Sequence, residues 1–187
     1  KNTALTHLDC SNNMIPALEL SSNTNLNYLN CGGYNNLTTL ELNSHPNLDS
    51  LICGNYNNSP SSLSYISLNN ANSLTYLANH SDSTQTLNLN GCSSLPILQI
   101  GAVSSINLNG CTSLSEITIS QGPSIPQLTS LDISMCTSLN ELTLINTDLN
   151  CLNAKNVNNS LLVTIIGPST QNLDCIEVDD TTIADMN

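Results

Sequence analysis

Residues 5–25 read LTHLDCSNNMIPALELSSNTN. Leu5, Leu8 and Cys10 are echoed ten residues later by Ile15, Leu18 and Leu20. The phrase is an apolar residue, two variable residues, an apolar residue, one variable residue and a third apolar residue. It recurs as LNYLNC from Leu26, LTTLEL from Leu37, LDSLIC from Leu48 and LSYISL from Leu63. It is still recognisable as LNELTL from Leu139, LNCLNA from Leu149, LLVTII from Leu161 and LDCIEV from Leu173. Sixteen phrases are present, most of them 10 or 11 residues apart, and two phrases make a unit of 21–22 residues. The spacing stretches at Asn55–Pro60 and Gln121–Pro126 and contracts near Gly101.

The last three positions of each phrase alternate apolar, polar, apolar, which is strand periodicity. The connectors are too short to hold a helix and are rich in Asn, Ser, Gly and Thr, the chemistry of turns. Helix-crossed parallel strands are therefore excluded. A hairpin meander would not require an apolar residue at the same offset in every phrase. A coil that advances by one strand spacing per turn satisfies the whole pattern. The fold expected is mainly β, a parallel solenoid of about eight coils with two short strand segments per coil, little or no helix, and one domain over 1–187.

Composition agrees. The chain has no Trp and no Phe, and only 3% of its residues are aromatic. Its core must therefore be aliphatic and thin, and the 31 Leu supply it. The 31 Asn and 26 Ser suit stacked turns and are weak helix formers. Two Lys, no Arg and a net charge of −12 argue against nucleic acid and anionic membrane as partners. No apolar run approaches the ~20 residues of a membrane span.

LTHLDCSNNMIPALELSSNTN resembles a bacterial leucine-rich repeat with a nested half-period, whose pattern is LxxLxLxxNxLxxLxLxxxxx. Leu5, Leu8, Cys10, Asn13, Ile15, Leu18 and Leu20 carry the match. The resemblance implies a right-handed leucine-rich-repeat solenoid. LDCSNN and the closing CIEVDD are similar to secreted or surface proteins of Bacteroidetes. That likeness implies a bacterial secreted or cell-surface location and flanking domains in a longer chain, with 151–187 forming the C-terminal coils and cap. After Leu68 the chain departs from the pattern, and GC(S/T)SL turns replace the Asn turns.

The eight cysteines fall into three sets. Cys10, Cys31 and Cys53 each close a phrase in the inward slot where Leu otherwise stands. Cys92, Cys111 and Cys136 each precede (S/T)SL in a turn. Both sets read as ladders of buried thiols, since buried Cys behaves as a small hydrophobe. Cys151 and Cys175 instead take the outward third position of phrases on one side of consecutive turns. Equivalent Cα atoms of neighbouring parallel strands lie ~4.8 Å apart, within disulfide range, so a Cys151–Cys175 bond is expected.

Catalytic chemistry finds little support. His7, His45 and His80 lack any nucleophile-elbow context and read as surface polar residues. Glu19 and Glu41, and Glu116 and Glu141, occupy equivalent outward positions, but a shallow rod gives them no cleft in which to split their pKa values. No CxxC or Cys/His spacing for a metal occurs. Asp9, Asp132, Asp179 and Asp180 lack a calcium-loop motif, with Val178–Asp180 the best Ca²⁺ position on offer. No enzyme activity, cofactor or metal is expected.

A binding surface is the stronger reading. The outward residues beside the first ladder run His7 and Asp9, Tyr28 and Asn30, Ser50 and Ile52, Tyr76 and Ala78, Ile97 and Gln99, Glu116 and Thr118, then Glu141 and Thr143. Tyr34 and Tyr56 sit in the equivalent turns CGGYNN and CGNYNN and should stack. Tyr pairs an apolar ring with a polar tip and serves as an anchor for sugars and proteins. The expectation is a non-enzymatic binding or adhesion module that offers one strand face to a protein or glycan, with no membrane insertion. The alternative is a structural spacer with no ligand of its own.

Overall fold

Each phrase lays down one short strand, and the next phrase lays its strand on the opposite side of the coil. The computed structural model describes residues 2–55, 61–121, 128–155, 161–166 and 173–178. One face holds β1 (His7–Asp9), β2 (Tyr28–Asn30), β4 (Ser50–Cys53), β6 (Tyr76–Asn79), β8 (Ile97–Ile100), β10 (Glu116–Ser120), β12 (Glu141–Ile145) and β14 (Leu162–Ile166). The other holds β3 (Thr39–Glu41), β5 (Tyr65–Ser67), β7 (Thr86–Asn88), β9 (Ser105–Asn107), β11 (Ser130–Asp132), β13 (Cys151–Asn153) and β15 (Cys175–Glu177). Every pairing is parallel and in phrase register: Leu8 lies opposite Leu29, Leu29 opposite Leu51, and Leu51 opposite Leu77. Among the described residues there is no helix.

The result is a parallel β-solenoid of about seven turns, where the phrase count suggested about eight. Ile15–Leu20 packs as a phrase but forms no strand. Its backbone enters through Met14 at φ 56°, and Pro16, whose ring fixes φ and which has no N–H, follows. Proline also accounts for a break in the first face, whose hydrogen-bonded ladder stops between β6 and β8 although the two strands remain side by side. In the coils before it, Asn27, Asp49 and Thr75 each donate N–H to the preceding coil. Pro96 stands at the same phrase position and has no N–H to give. On the second face the ladder stops between β9 and β11, on either side of the Gln121–Pro126 stretch.

The first, fourth and sixth residues of the phrases fill the core. Leu26, Leu29, Leu48, Leu51, Leu74, Leu95, Leu114 and Leu142 are fully buried, each stacked on its equivalent one coil away. Burying a Leu side chain is worth ~1.5–3 kcal/mol. The cysteine ladders lie in this core. Cys31, Cys53, Cys92, Cys111 and Cys136 are buried, and Cys10 is half-buried at the start of its ladder. The thiols also satisfy backbone carbonyls of neighbouring coils: Cys92 donates to Leu68 O at 3.4 Å and Cys111 to Leu89 O at 3.1 Å. Burial pushes the Cys31, Cys92, Cys111 and Cys136 thiols up to about 12, and Cys53 higher than its ordinary value too.

Asx-type bonds close the turns. The side chains of Asp9, Asn30, Asn79, Asn88, Asn107, Asp132 and Asn153 each accept the backbone N–H two residues on. Turn capping is thus what Asp9 and Asp132 do. Asn35 is buried and joins two coils. Its Oδ1 accepts from the N–H groups of Asn13 (3.2 Å) and Ile15 (2.9 Å), and its Nδ2 donates to the carbonyls of Cys10 and Cys31 (3.0 Å each).

His45 departs from its expected surface position. It is 1% exposed, its Nε2 lies 3.1 Å from Leu20 O, and its Nδ1 has no partner among the described residues. The turn in which it sits stacks on the turn of the preceding coil, so the ring fills space between coils. His7 and His80 are exposed as expected.

Candidate functional site

Strand alternation sends the third and fifth residues of each phrase outward, so the first face carries two parallel rows of side chains about one strand spacing, ~4.8 Å, apart along the coil axis. In the row of third positions, His7 lies opposite Tyr28, Tyr28 opposite Ser50, and Ser50 opposite Tyr76. The row resumes with Ile97 opposite Glu116 and Glu116 opposite Glu141. In the row of fifth positions Asp9, Asn30, Ile52 and Ala78 are in register, then Gln99, Thr118 and Thr143.

The row has three chemical zones. At its first end, the rings of His7 and Tyr28 stack with centroids 4.2 Å apart and planes 6° from parallel. Beside them Asn30 donates to Asp9 at 3.2 Å. Hydrogen bonds from the Ser11 backbone and hydroxyl hold the Asp9 carboxyl below its usual range, so it is a fixed anion. The centre is apolar. Tyr76 is 53% exposed and Ile97 45% exposed, on strands that pack side by side, with Ile52 and Ala78 next to them. Ser50, a small residue, stands between Tyr28 and Tyr76, whose strands are two spacings, about 10 Å, apart. The far end is acidic, with Glu116 and Glu141 in register and Gln99 Nε2 donating to Glu116 at 3.2 Å.

His7, Asp9, Tyr28, Asn30, Tyr76, Gln99, Glu116 and Glu141 therefore share one face. Tyr34 does not join them. It is exposed in the turn after β2, away from the strand rows. Tyr56, its expected stacking partner, and Asp179 and Asp180 of the Val178–Asp180 position lie outside the described residues. Among the described residues, no group of three or more His, Cys, Asp or Glu is placed to hold a metal ion, and no helix is long and apolar enough to cross a membrane. The outward offset of Ile97 is legible in LPILQI, whereas its exposure near Tyr76 depends on two adjacent coils.

A second cluster lies on the opposite face near the last coils. Cys151 on β13 is directly in register with Cys175 on β15, and both are half-buried thiols in this structure. The neighbouring Cys175 thiol holds the Cys151 proton above the ordinary thiol range, with some desolvation, the charge of Cys175 and the nearby Asp174 and Glu177 carboxylates adding to the effect. Just past the end of β13, Lys155 Nζ meets Oε2 of Glu177, the last residue of β15, at 2.7 Å.

No family model matches the chain, and no curated protein matches it by sequence. Among solved structures, it is similar to the functional domain of InlJ from Listeria monocytogenes, which includes a cysteine ladder. The two are 23% identical with a TM-score of 0.54, over 78% of this chain and 35% of that one. The chain thus spans about a third of the length of the structure it matches. The likeness is one of fold, a leucine-rich-repeat-like solenoid. Nothing in these comparisons is particular to Bacteroidetes.

Proposed function

We propose that this chain is a non-enzymatic protein-binding module, and that an extended partner segment lies along the first strand face across successive coils. The observation that carries the reading is that Tyr76 and Ile97 are half-exposed on neighbouring strands in the middle of the first face, where one in-register row ends and the next begins, with fixed polar groups on one side and carboxylates on the other. An interface of that kind places its apolar anchors centrally and its charges at the rim. A net charge of −12 and the Glu116–Glu141 end favour a partner segment that carries Lys or Arg beside an aromatic or aliphatic residue. A rigid coil presents all these groups without ordering them on binding, which limits the entropic cost of association. A secreted or cell-surface location fits this role and belongs to the same proposal.

Selection from a displayed peptide library against the immobilised chain tests this. Enriched peptides should pair basic with aromatic or aliphatic residues, and their binding should fall at least tenfold in Tyr76→Ala and Ile97→Ser. Peptides insensitive to both changes, but lost on Tyr65→Ala on the other face, would overturn the assignment of the face. Absence of any enrichment, with glycan-array binding in its place, would overturn the choice of a protein partner.

A further inference from the structure

We propose that Cys151 and Cys175 form an intramolecular disulfide that clasps the last coils, while the six ladder cysteines remain thiols. Three observations on the geometry of the chain carry it. First, β13 and β15 pair in parallel with Cys151 and Cys175 as direct register partners, which sets their Cα atoms ~4.8 Å apart, inside the range a disulfide spans. Second, both thiols are only half-buried, so a small disulfide can reach them. Third, the other cysteines are placed differently. Cys31, Cys53, Cys92, Cys111 and Cys136 are shut in the core, and Cys10, half-buried, lies in the first coil, far along the axis from the last.

Parallel register also keeps the two Cβ atoms about one strand spacing apart, slightly wider than the 3.5–4.5 Å a disulfide prefers. Closing the bond therefore requires one strand to lean toward the other. Among the described residues β15 pairs only with β13, at the edge of its sheet. The backbone bonds that hold it, Asp174 and Cys175 N–H to Asn150 O at 3.0 Å and Ala154 N–H to Glu177 O at 2.8 Å, run in the direction of that approach.

The reaction is thiol–disulfide exchange with a small disulfide such as oxidised glutathione. One cysteine loses its proton, and its thiolate attacks a glutathione sulfur and expels glutathione thiolate. The second thiolate then attacks the mixed disulfide at the protein sulfur and expels the other glutathione. Two protein thiols are oxidised to one disulfide, and one glutathione disulfide is reduced to two thiols. The neighbouring Cys175 thiol, then desolvation and the Asp174 and Glu177 carboxylates, disfavour the Cys151 thiolate, so closure should quicken markedly between pH 7 and pH 9.

The sequence supplies a clean assay. Lys1 and Lys155 are the only cationic side chains of Lys or Arg type, so a lysine-specific protease cuts the interior of the chain only after Lys155. The fragment 156–187 contains a single cysteine, Cys175. The chain is oxidised with glutathione disulfide at pH 8.5, quenched with iodoacetamide in urea, digested and weighed without reductant. Fragment 156–187 should stay attached to the N-terminal fragment, separate on adding reductant, and come free without reductant in Cys151→Ser. Release from the oxidised unsubstituted chain would overturn the proposal. So would retention in Cys151→Ser, or a covalent dimer, since either assigns Cys175 a different partner.

Discussion

Replacing Asn35 with Ala would test whether the coils are tied by side-chain bonds to their turns or held by the aliphatic core alone. Asn35 is 4% exposed and makes four hydrogen bonds, two to N–H groups of the first coil, one to a carbonyl of that coil and one to a carbonyl of its own. A buried neutral bond contributes ~0.5–1.5 kcal/mol net, and an orphaned partner costs ~1–3 kcal/mol. Three of the four partners are only partly buried and recover some hydration, so about 3–4 kcal/mol is expected. For a chain of this length, 1 kcal/mol moves the melting point by ~2–4 °C. Asn35→Ala should therefore melt roughly 10 °C lower by far-ultraviolet circular dichroism, and hydrogen exchange should quicken at the amides of Asn13 and Ile15. The exposed neighbour change Asn36→Ala should be almost neutral. Asn35→Asp sharpens the test. Its second oxygen would face the carbonyls of Cys10 and Cys31, so burial and repulsion raise its folded pKa above the unfolded value of ~3.9. A raised folded pKa means stability present below the unfolded value and lost as pH rises, so Asn35→Asp should approach the unsubstituted chain near pH 4 and fall away by pH 7. A melting point for Asn35→Ala within 2 °C of the parent, or a pH trend of opposite sign in Asn35→Asp, would refute the reasoning.

Two further outcomes are expected. Gly54 has φ +79°, and a Cβ there would stand 2.3 Å from the backbone N of Ser81 in the next coil. Left-handed strain of ~1–2 kcal/mol and overpacking of ~1–3 kcal/mol should lower the melting point of Gly54→Ala by roughly 6–12 °C, and a shift under 2 °C would contradict the close approach of these turns. The buried ladder thiols hold their protons up to about 12 when folded, against ~8.5 unfolded, so they contribute stability at neutral pH that is lost as pH rises through that interval. Melting points should drop steadily from pH 8.5 to 10.5, less steeply in Cys92→Ala/Cys111→Ala, and a flat profile would mean that the thiols are not buried as described.

The phrase repeated from Leu5 to Val178 was enough by itself to determine the coil, its register, its aliphatic core, the two cysteine ladders and the side chains that point outward. A six-residue pattern at a fixed 10–11-residue step allows only one arrangement that buries every apolar position, and strand alternation then assigns the outward ones. The pairing of Cys151 with Cys175 in register follows from the same step. Only the tertiary structure decided the rest. His45 looks like any turn residue in ELNSHPNL, and its burial depends on how that turn stacks over Leu20, 25 residues earlier. Asn35 reads as one Asn among many, and its four bonds depend on the first coil's turn lying against its own. The stacking of the His7 and Tyr28 rings, the exposure of Tyr76 and Ile97 on neighbouring strands and the lapse of the ladder between β6 and β8 likewise depend on how neighbouring coils meet. Local pattern fixes where a side chain points, but what it meets there is set by a turn about twenty residues away, and the spacing alone carries no record of that turn's shape.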